Sequence, residues 1–188
     1  MTWIIVPKRN TTAGDVPTTA DLSDGEIALN SADRKLYQRV GSNIIDFMAR
    51  PYARVAMSAD YVVPNTGVRV LPFDTAISDA SGILDAANSR VVPNVPGLYH
   101  VVLCAYTQSN ATGTVLAYHQ VAARKNSDIS LHGVSAIPSA SGMIQVSLTH
   151  AAIMEMNGST DYIDASVRTG VGVTVGKILT FLTVARIG

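Results

Sequence analysis

The run Leu98-Tyr99-His100-Val101-Val102-Leu103-Cys104-Ala105-Tyr106 is apolar on both sides when it is extended. Alternate side chains of a strand point to opposite faces. Tyr99, Val101, Leu103 and Ala105 therefore share one face, and His100, Val102, Cys104 and Tyr106 share the other. Residues 178–187 repeat the pattern, with Leu179, Phe181, Ala185 and Ile187 opposing Ile178, Leu182 and Val184. A sheet wetted on one side alternates apolar with polar instead. Two dry faces can be covered in two ways. Either one face fills a sandwich core while the other packs on a second subunit, or both are buried within one chain.

Composition favours the first way. Hydrophobic residues make up 47% of the 188 residues and charged residues only 15%, against roughly 25% charged in an ordinary soluble domain. So little charge leaves apolar surface that is expected to meet other subunits. The 14 basic and 14 acidic residues cancel, and no basic run or stripe offers the electrostatic footprint of a nucleic-acid binder or of a ligand for anionic membranes. No apolar run reaches the roughly 18 residues of a membrane-inserted helix. The start, Met1-Thr2-Trp3-Ile4-Ile5-Val6-Pro7, has neither the basic region nor the apolar core of a signal peptide, so synthesis in the cytoplasm is expected. Cys104 is the single cysteine. It excludes an intrachain disulfide or a cysteine-based zinc site and reads as a small buried hydrophobe.

Two unequal parts are expected, 1–50 and 51–188. The first is polar and irregular, with turn clusters such as Thr11-Thr12-Ala13-Gly14-Asp15 and Asp21-Leu22-Ser23-Asp24-Gly25. Short strand-like pieces interrupt it at 26–30, 35–39 and 43–47. A stretch with so small a core of its own is expected to be ordered mainly by neighbouring chains or a docking partner. The second part reads as strands at 53–58, 66–73, 89–92, 98–107, 114–124, 129–133, 142–156, 162–168 and 177–187. Turn signals separate them, among them Pro64-Asn65-Thr66-Gly67, Pro96-Gly97, Lys125-Asn126-Ser127-Asp128, Asn157-Gly158-Ser159 and Gly170-Val171-Gly172. The Asp, Ser, Gly and Asn of 76–90 favour a loop over a helix. Many short strands with frequent turns predict an all-β fold, an antiparallel jelly-roll sandwich head behind a short irregular β segment.

Two stretches carry a resemblance. Pro7-Lys8-Arg9, Val16-Pro17, Leu22, Gly25-Glu26-Ile27-Ala28-Leu29-Asn30, Asp33, Lys35-Leu36-Tyr37 and Ile44 together resemble a small module of phage tail fibres and related virion appendages. Arg34 stands where that family usually has glycine, so the turn after Asp33 is expected to differ. The resemblance implies a virion-anchoring role, carried by Gly25, Glu26, Asp33, Lys35 and Tyr37. Further on, Phe73-Asp74-Thr75, Asn88-Ser89-Arg90-Val91-Val92-Pro93, Pro96-Gly97-Leu98-Tyr99 and the closing strand Leu179-Thr180-Phe181-Leu182-Thr183-Val184-Ala185-Arg186-Ile187 resemble the jelly-roll heads of the complement and tumour necrosis factor superfamily. That implies a homotrimer that binds partners without catalysis, with Tyr99, Tyr106 and Phe181 in the trimer interface or the core.

No residue pattern argues for an enzyme. His100, His119, His132 and His150 lack the context of a nucleophile elbow and read as packed or interfacial, one of them a candidate for acid-sensitive assembly. Asp74, Asp79 and Asp85, and again Asp161 and Asp164, cluster without the register of a calcium loop and read as solvated loop acids. No catalytic residue, metal site or cofactor is expected. Recognition of a partner is the remaining chemistry. Tyr61, Tyr162, Gln108, Asn110 and Asn157 are the candidates for touching a receptor, with Asn65 as a further loop amide. The stretch Thr107-Gln108-Ser109-Asn110-Ala111-Thr112-Gly113 is the expected exposed tip. The sequence thus points to a non-enzymatic protein of the virion surface: a short homotrimeric phage fibre, head fibre or capsid decoration protein. Its partners would be itself, other virion proteins such as capsid, collar or tail, and a host surface glycan or protein. A capsid cement protein and a polysaccharide hydrolase are the alternatives.

Overall fold

Glycine- and asparagine-rich turns cut the chain into strands. The computed structural model describes residues 7–64, 67–111, 119–128, 134–135, 142–170 and 172–187, and among these there is no α-helix. Asn65, His132, Thr112, Gly113 and the expected strand 129–133 lie outside the described residues. Two units are present, Met1–Ala49 and Arg50–Gly188.

The first unit is a four-stranded sheet, more regular than its polar sequence suggests. Strands β1 (Lys8–Asn10), β2 (Ile27–Asn30), β3 (Lys35–Val40) and β4 (Asn43–Asp46) lie side by side in chain order. β1 runs parallel to β2, and two hairpins supply the rest. Leu22, Ala28 and Tyr37 form a small private core, with Ile44 packed against it. A core of that size cannot hold the long 11–26 connection alone, and one buried amide carries much of the work. Asn30 is 1% exposed. Its Nδ2 donates to the carbonyls of Thr12 and Asp15 at 2.8 and 2.9 Å, and its Oδ1 accepts from the amides of Ala32 and Asp33 at 3.0 and 3.1 Å. Both donors and the acceptor are satisfied, which makes burial of the amide affordable.

The second unit is two six-stranded sheets packed face to face. One follows the order β14 (Gly142–Met156), β11 (Gly97–Ala111), β16 (Val173–Arg186), β5 (Tyr52–Ala56), β8 (Thr75–Ser78), with β6 (Tyr61–Val63) added on β16. The other follows β13 (Val134–Ser135), β12 (His119–Lys125), β15 (Ile163–Thr169), β10 (Arg90–Val91), β9 (Leu84–Asp85), with β7 (Val68–Val70) added on β15. Every pairing in both sheets is antiparallel. This is the expected jelly-roll sandwich. The window expected as a loop at 76–90 holds β9, most of β8 and a single 3-10 turn at Ala86–Asn88.

The core between the sheets takes alternate residues of each long strand. Val55, Phe73, Tyr99, Val101, Leu103, Ile163, Val167, Leu182 and Val184 are all fully buried there. Buried polar groups in this core and on the outer side of the second sheet find partners. The Tyr99 hydroxyl donates to the Val95 carbonyl at 2.7 Å, which ties the Pro96-Gly97 turn to the strand it starts. On the second sheet the cross-strand neighbours Arg124 and Asp164 form a bidentate pair with both bonds at 2.7 Å, and the Ser127 hydroxyl donates to the same carboxylate. Burial of two opposite charges is tolerated because every close lone pair finds a donor.

Candidate functional site

The inner residues of β11 face the core, so the question is what covers the outer ones. Register places Leu98, His100, Val102, Cys104 and Tyr106 of β11 beside Glu155, Ile153, Ala151, Thr149 and Ser147 of β14. On the other flank they meet Ala185, Thr183 and Phe181 of β16, which in turn meet Tyr52, Arg54 and Ala56 of β5. Nothing in the described part of the unit lies over this face. Ile153 is 64% exposed and Leu98 44%, while Val102, Cys104, Tyr106 and Phe181 are half-buried. Of the two ways to cover a strand with two dry faces, the described residues of one chain do not supply burial of both. Among the described residues the face is open and mostly apolar, with Arg54, Glu155 and His100 as its ionisable side chains.

Tyr99 is therefore a core residue, and Tyr106 and Phe181 belong to the open face. The Phe181 ring carries the Arg54 guanidinium, with Cζ 4.1 Å from the centroid, a cation–π stack. Tyr106 lies over Gly176. A Cβ there would come within 2.8 Å of the ring, so glycine is what lets the ring lie down on the neighbouring strand. At this end of the sheet the face mixes polar with apolar groups. A cleft of about 290 Å³ is lined by Asp60, Tyr106, Gln108, Thr174, Gly176 and the apolar pair Ile178 and Leu179.

That apolar pair corrects the alternation read from the sequence. Ile178 was expected on the side of Leu182 and Val184, yet it is 85% exposed. Register jumps between Cys104, opposite Phe181, and Tyr106, opposite Gly176. The extra residues of β16 bulge outward, and the Thr180 hydroxyl accepts the amide of Tyr106 at 3.1 Å to close the gap. A second correction concerns 107–113. Thr107 to Ala111 continue β11 rather than forming a loop. Thr107 itself is fully buried, its hydroxyl 2.6 Å from Nδ1 of His119.

The remaining candidates for partner contact fall at scattered places. Gln108 is on the open face in the cleft, and Asn110 pairs through its backbone with Met143. Tyr61 packs partly against the core from β6. Asn157 organises its turn, its Oδ1 accepting from the amides of Ser159, Thr160 and Asp161 at 2.9, 2.9 and 3.0 Å. The Tyr162 hydroxyl donates to Ser127, and the Arg90 guanidinium covers its ring at 4.8 Å.

The motif residues of the first unit build that unit. Gly25 turns at φ +80°, its amide donating to the Arg39 carbonyl. Glu26 accepts from the Ser23 amide at 2.7 Å and pairs with Lys8 at 3.1 Å, and these bonds hold its carboxyl below the ordinary range. Asp33 accepts from the Gly14 amide at 2.8 Å, and Lys35 pairs with Asp46 at 3.2 Å. Tyr37 is core, and burial pushes its hydroxyl pKa upward. Arg34 adopts φ +56°, the left-handed turn conformation that glycine would take without strain.

The titratable groups of the second unit are mostly structural. Two histidines sit where the sheets meet. His119 is fully buried, and the loss of hydration lowers its pKa. His150 accepts the amide of Ala123 on Nδ1 at 2.9 Å, capping β12 beyond the reach of β13. His100 lies on the open face. Asp161, expected as a solvated loop acid, is 8% exposed, and Asp164 is 3% exposed. Lys125 at 2.8 Å and Asn126 draw the Asp161 carboxyl down to about 2. Among the described residues no group of three or more His, Cys, Asp or Glu could hold a metal ion. Cys104 is half-buried on the open face.

No protein-family model matches the sequence, and no curated protein matches it. Solved structures do match in shape. Murine APRIL at pH 5.0 superposes with a TM-score of 0.51 at 12% identity, over 74% of this chain and 100% of that chain. The globular domain of zebrafish complement 1qA gives 0.51 at 13% identity, over 74% and 98%. At such identities the likeness shows the fold. The second unit is a jelly roll of the tumour necrosis factor and complement type.

Proposed function

We propose that the chain is a non-enzymatic structural protein of a phage virion, a short homotrimeric fibre or capsid-surface decoration. Its first unit docks on the particle, and its jelly-roll head is presented to the host surface. The observation that carries the reading is the open sheet face. Val102, Cys104, Tyr106, Phe181, Ala185, Ile153 and Leu98 form an apolar surface that the described residues of one chain leave exposed or half-exposed. Such a surface is the mark of a protein interface, and a second copy of the same head is the partner present at every encounter. That the number is three rests on the resemblance to complement and tumour necrosis factor heads. That the setting is a virion rests on the resemblance of the Gly25-to-Tyr37 motif to phage fibre modules. Host contact is assigned to the end of the head where Tyr106 and Gln108 line a cleft beside Ile178 and Leu179.

Light scattering of the isolated full chain tests the first step: three chains per particle are expected, and a monomer at tens of micromolar overturns it. Labelling virions through the C-terminus and imaging them tests the second, since a label absent from particles refutes the virion assignment. Adsorption of the isolated protein to host cells, in competition with phage, separates attachment from a cement role. A cement protein leaves adsorption normal and makes capsids fragile when it is deleted.

A further inference from the structure

Two charged side chains on the open face have no ionic partner among the described residues. Arg54 in β5 rests on Phe181, and its Nε is buried without a hydrogen-bond partner. No carboxylate among the described residues of the head reaches it. Asp74 is engaged by Ser58, Asp79 by the amides of Ile83 and Leu84, and Asp85 by Arg90. Asp161 is engaged by Lys125, Asp164 by Arg124, Asp60 by the Lys177 amide, and Asp128 has its own interaction. Glu155 is different. It is exposed on the outer side of β14, and although its backbone carbonyl accepts from Lys125, its carboxylate meets nothing.

These two groups cannot pair within one chain. Register aligns Arg54 with Thr183, Val102 and Ala151, three strands across and four residues short of Glu155. That is about 14 Å across the sheet and about 13 Å along it. A copy packed on the same face can close the distance. In a two-fold contact each copy gives both charges to the same neighbour, and in a ring about the face it gives its cation to one neighbour and its carboxylate to another; either way Arg54 meets Glu155 of a different copy.

We propose that, in an assembly formed through the open face, Arg54 of each copy pairs with Glu155 of the next, fixing the register of the apolar contact. The pairing rests on the self-association reading above. It assigns the partner of that surface and the orientation in which it is met. Stacking on Phe181 holds the guanidinium flat and partly dehydrated, which strengthens a charged contact and makes an unanswered one costly.

Charge reversal tests it on the full chain, with dissociation followed by light scattering over a dilution series. Arg54→Glu and Glu155→Arg should each raise the dissociation constant about tenfold or more. The double reversal should return it to within about threefold of the original. Circular dichroism melts establish that the reversals fold. If either does not, Arg54→Gln, Glu155→Gln and their combination give the same reading through non-additivity. An assembled wild type in which the two effects simply add overturns the pairing and leaves self-association standing. A monomeric wild type overturns both.

Discussion

Gly158 offers a quantitative test of the packing. It lies in the turn between β14 and β15 at φ +72°, and a Cβ there would sit 2.3 Å from the nitrogen of Pro96, 2.6 Å from its Cδ and 2.6 Å from the Val95 carbonyl carbon. These are backbone and ring atoms, which cannot swing aside as a flexible side-chain end does. Gly82 supplies the control, with φ +61° and nothing within 4 Å of the same virtual Cβ. Gly82→Ala should therefore cost only the left-handed backbone penalty, about 1 kcal/mol. Gly158→Ala adds the displacement of a packed segment, about 2 kcal/mol more, for about 3 kcal/mol in all. That is a large share of the roughly 5–15 kcal/mol that holds a domain together. Urea unfolding at one fixed protein concentration, which keeps any contribution of assembly constant, should show both midpoints lowered with unchanged slope and the Gly158 variant lowered about three times as far. Equal costs for the two alanines would refute the claim that this turn is pressed against the Pro96-Gly97 corner.

Three further outcomes follow from single residues. Asp161 has a folded-state pKa of about 2 against 3.8 for the free group, so its stabilising effect is complete above about pH 4 and is lost as pH falls toward 2. Asp161→Asn should cost up to about 2 kcal/mol at neutral pH, and its gap from wild type should close in melts at pH 2. His119 is held neutral by burial, while the unfolded chain takes up a proton below about pH 6.5. Stability should therefore be full above that pH and fall as pH drops below it, and His119→Gln should flatten part of that decline in thermal melts. Arg34→Gly should relieve the positive φ of the β2–β3 turn by about 0.5 kcal/mol net of the entropy of glycine, seen as roughly twofold slower hydrogen exchange of the Leu36 and Gln38 amides.

Much of the head was legible because strand and turn chemistry are local. The strand expected at 142–156 is β14. The turn expected at Lys125-Asn126-Ser127-Asp128 has Asn126 and Ser127 at φ +52° and +60°, the type I′ pattern, with the Asp128 amide donating to the Lys125 carbonyl. The dry second face of 98–106 is the open face of the structure. In the first unit, Lys8–Asn10 was missed as a strand because it pairs parallel with a segment seventeen residues on from its end, a contact no local pattern announces. The role of Asn30 was hidden for the same reason, since its partners Thr12 and Asp15 lie far back along the chain. The bulge in β16 did leave a trace. Buried positions are odd-numbered at Val173 and Val175 and even-numbered at Thr180, Leu182 and Val184, a change of phase within one strand that only an inserted stretch can produce. Nothing in the sequence marked Arg54, whose significance comes from lying on Phe181 in a neighbouring strand.

Alternation, turn residues and the scarcity of charge by themselves determined an all-β sandwich whose long strands carry two apolar faces, because a period of two residues is a property of the extended backbone. Tertiary structure decided which of the two dry faces became core. It also decided that Thr107 and His119 are interior while Ile178 is exposed, and that Arg54 comes to lie on Phe181 with no carboxylate beside it among the described residues. These depend on which strands become neighbours and in what register, and a single shift of register exchanges the inside of a strand for its outside.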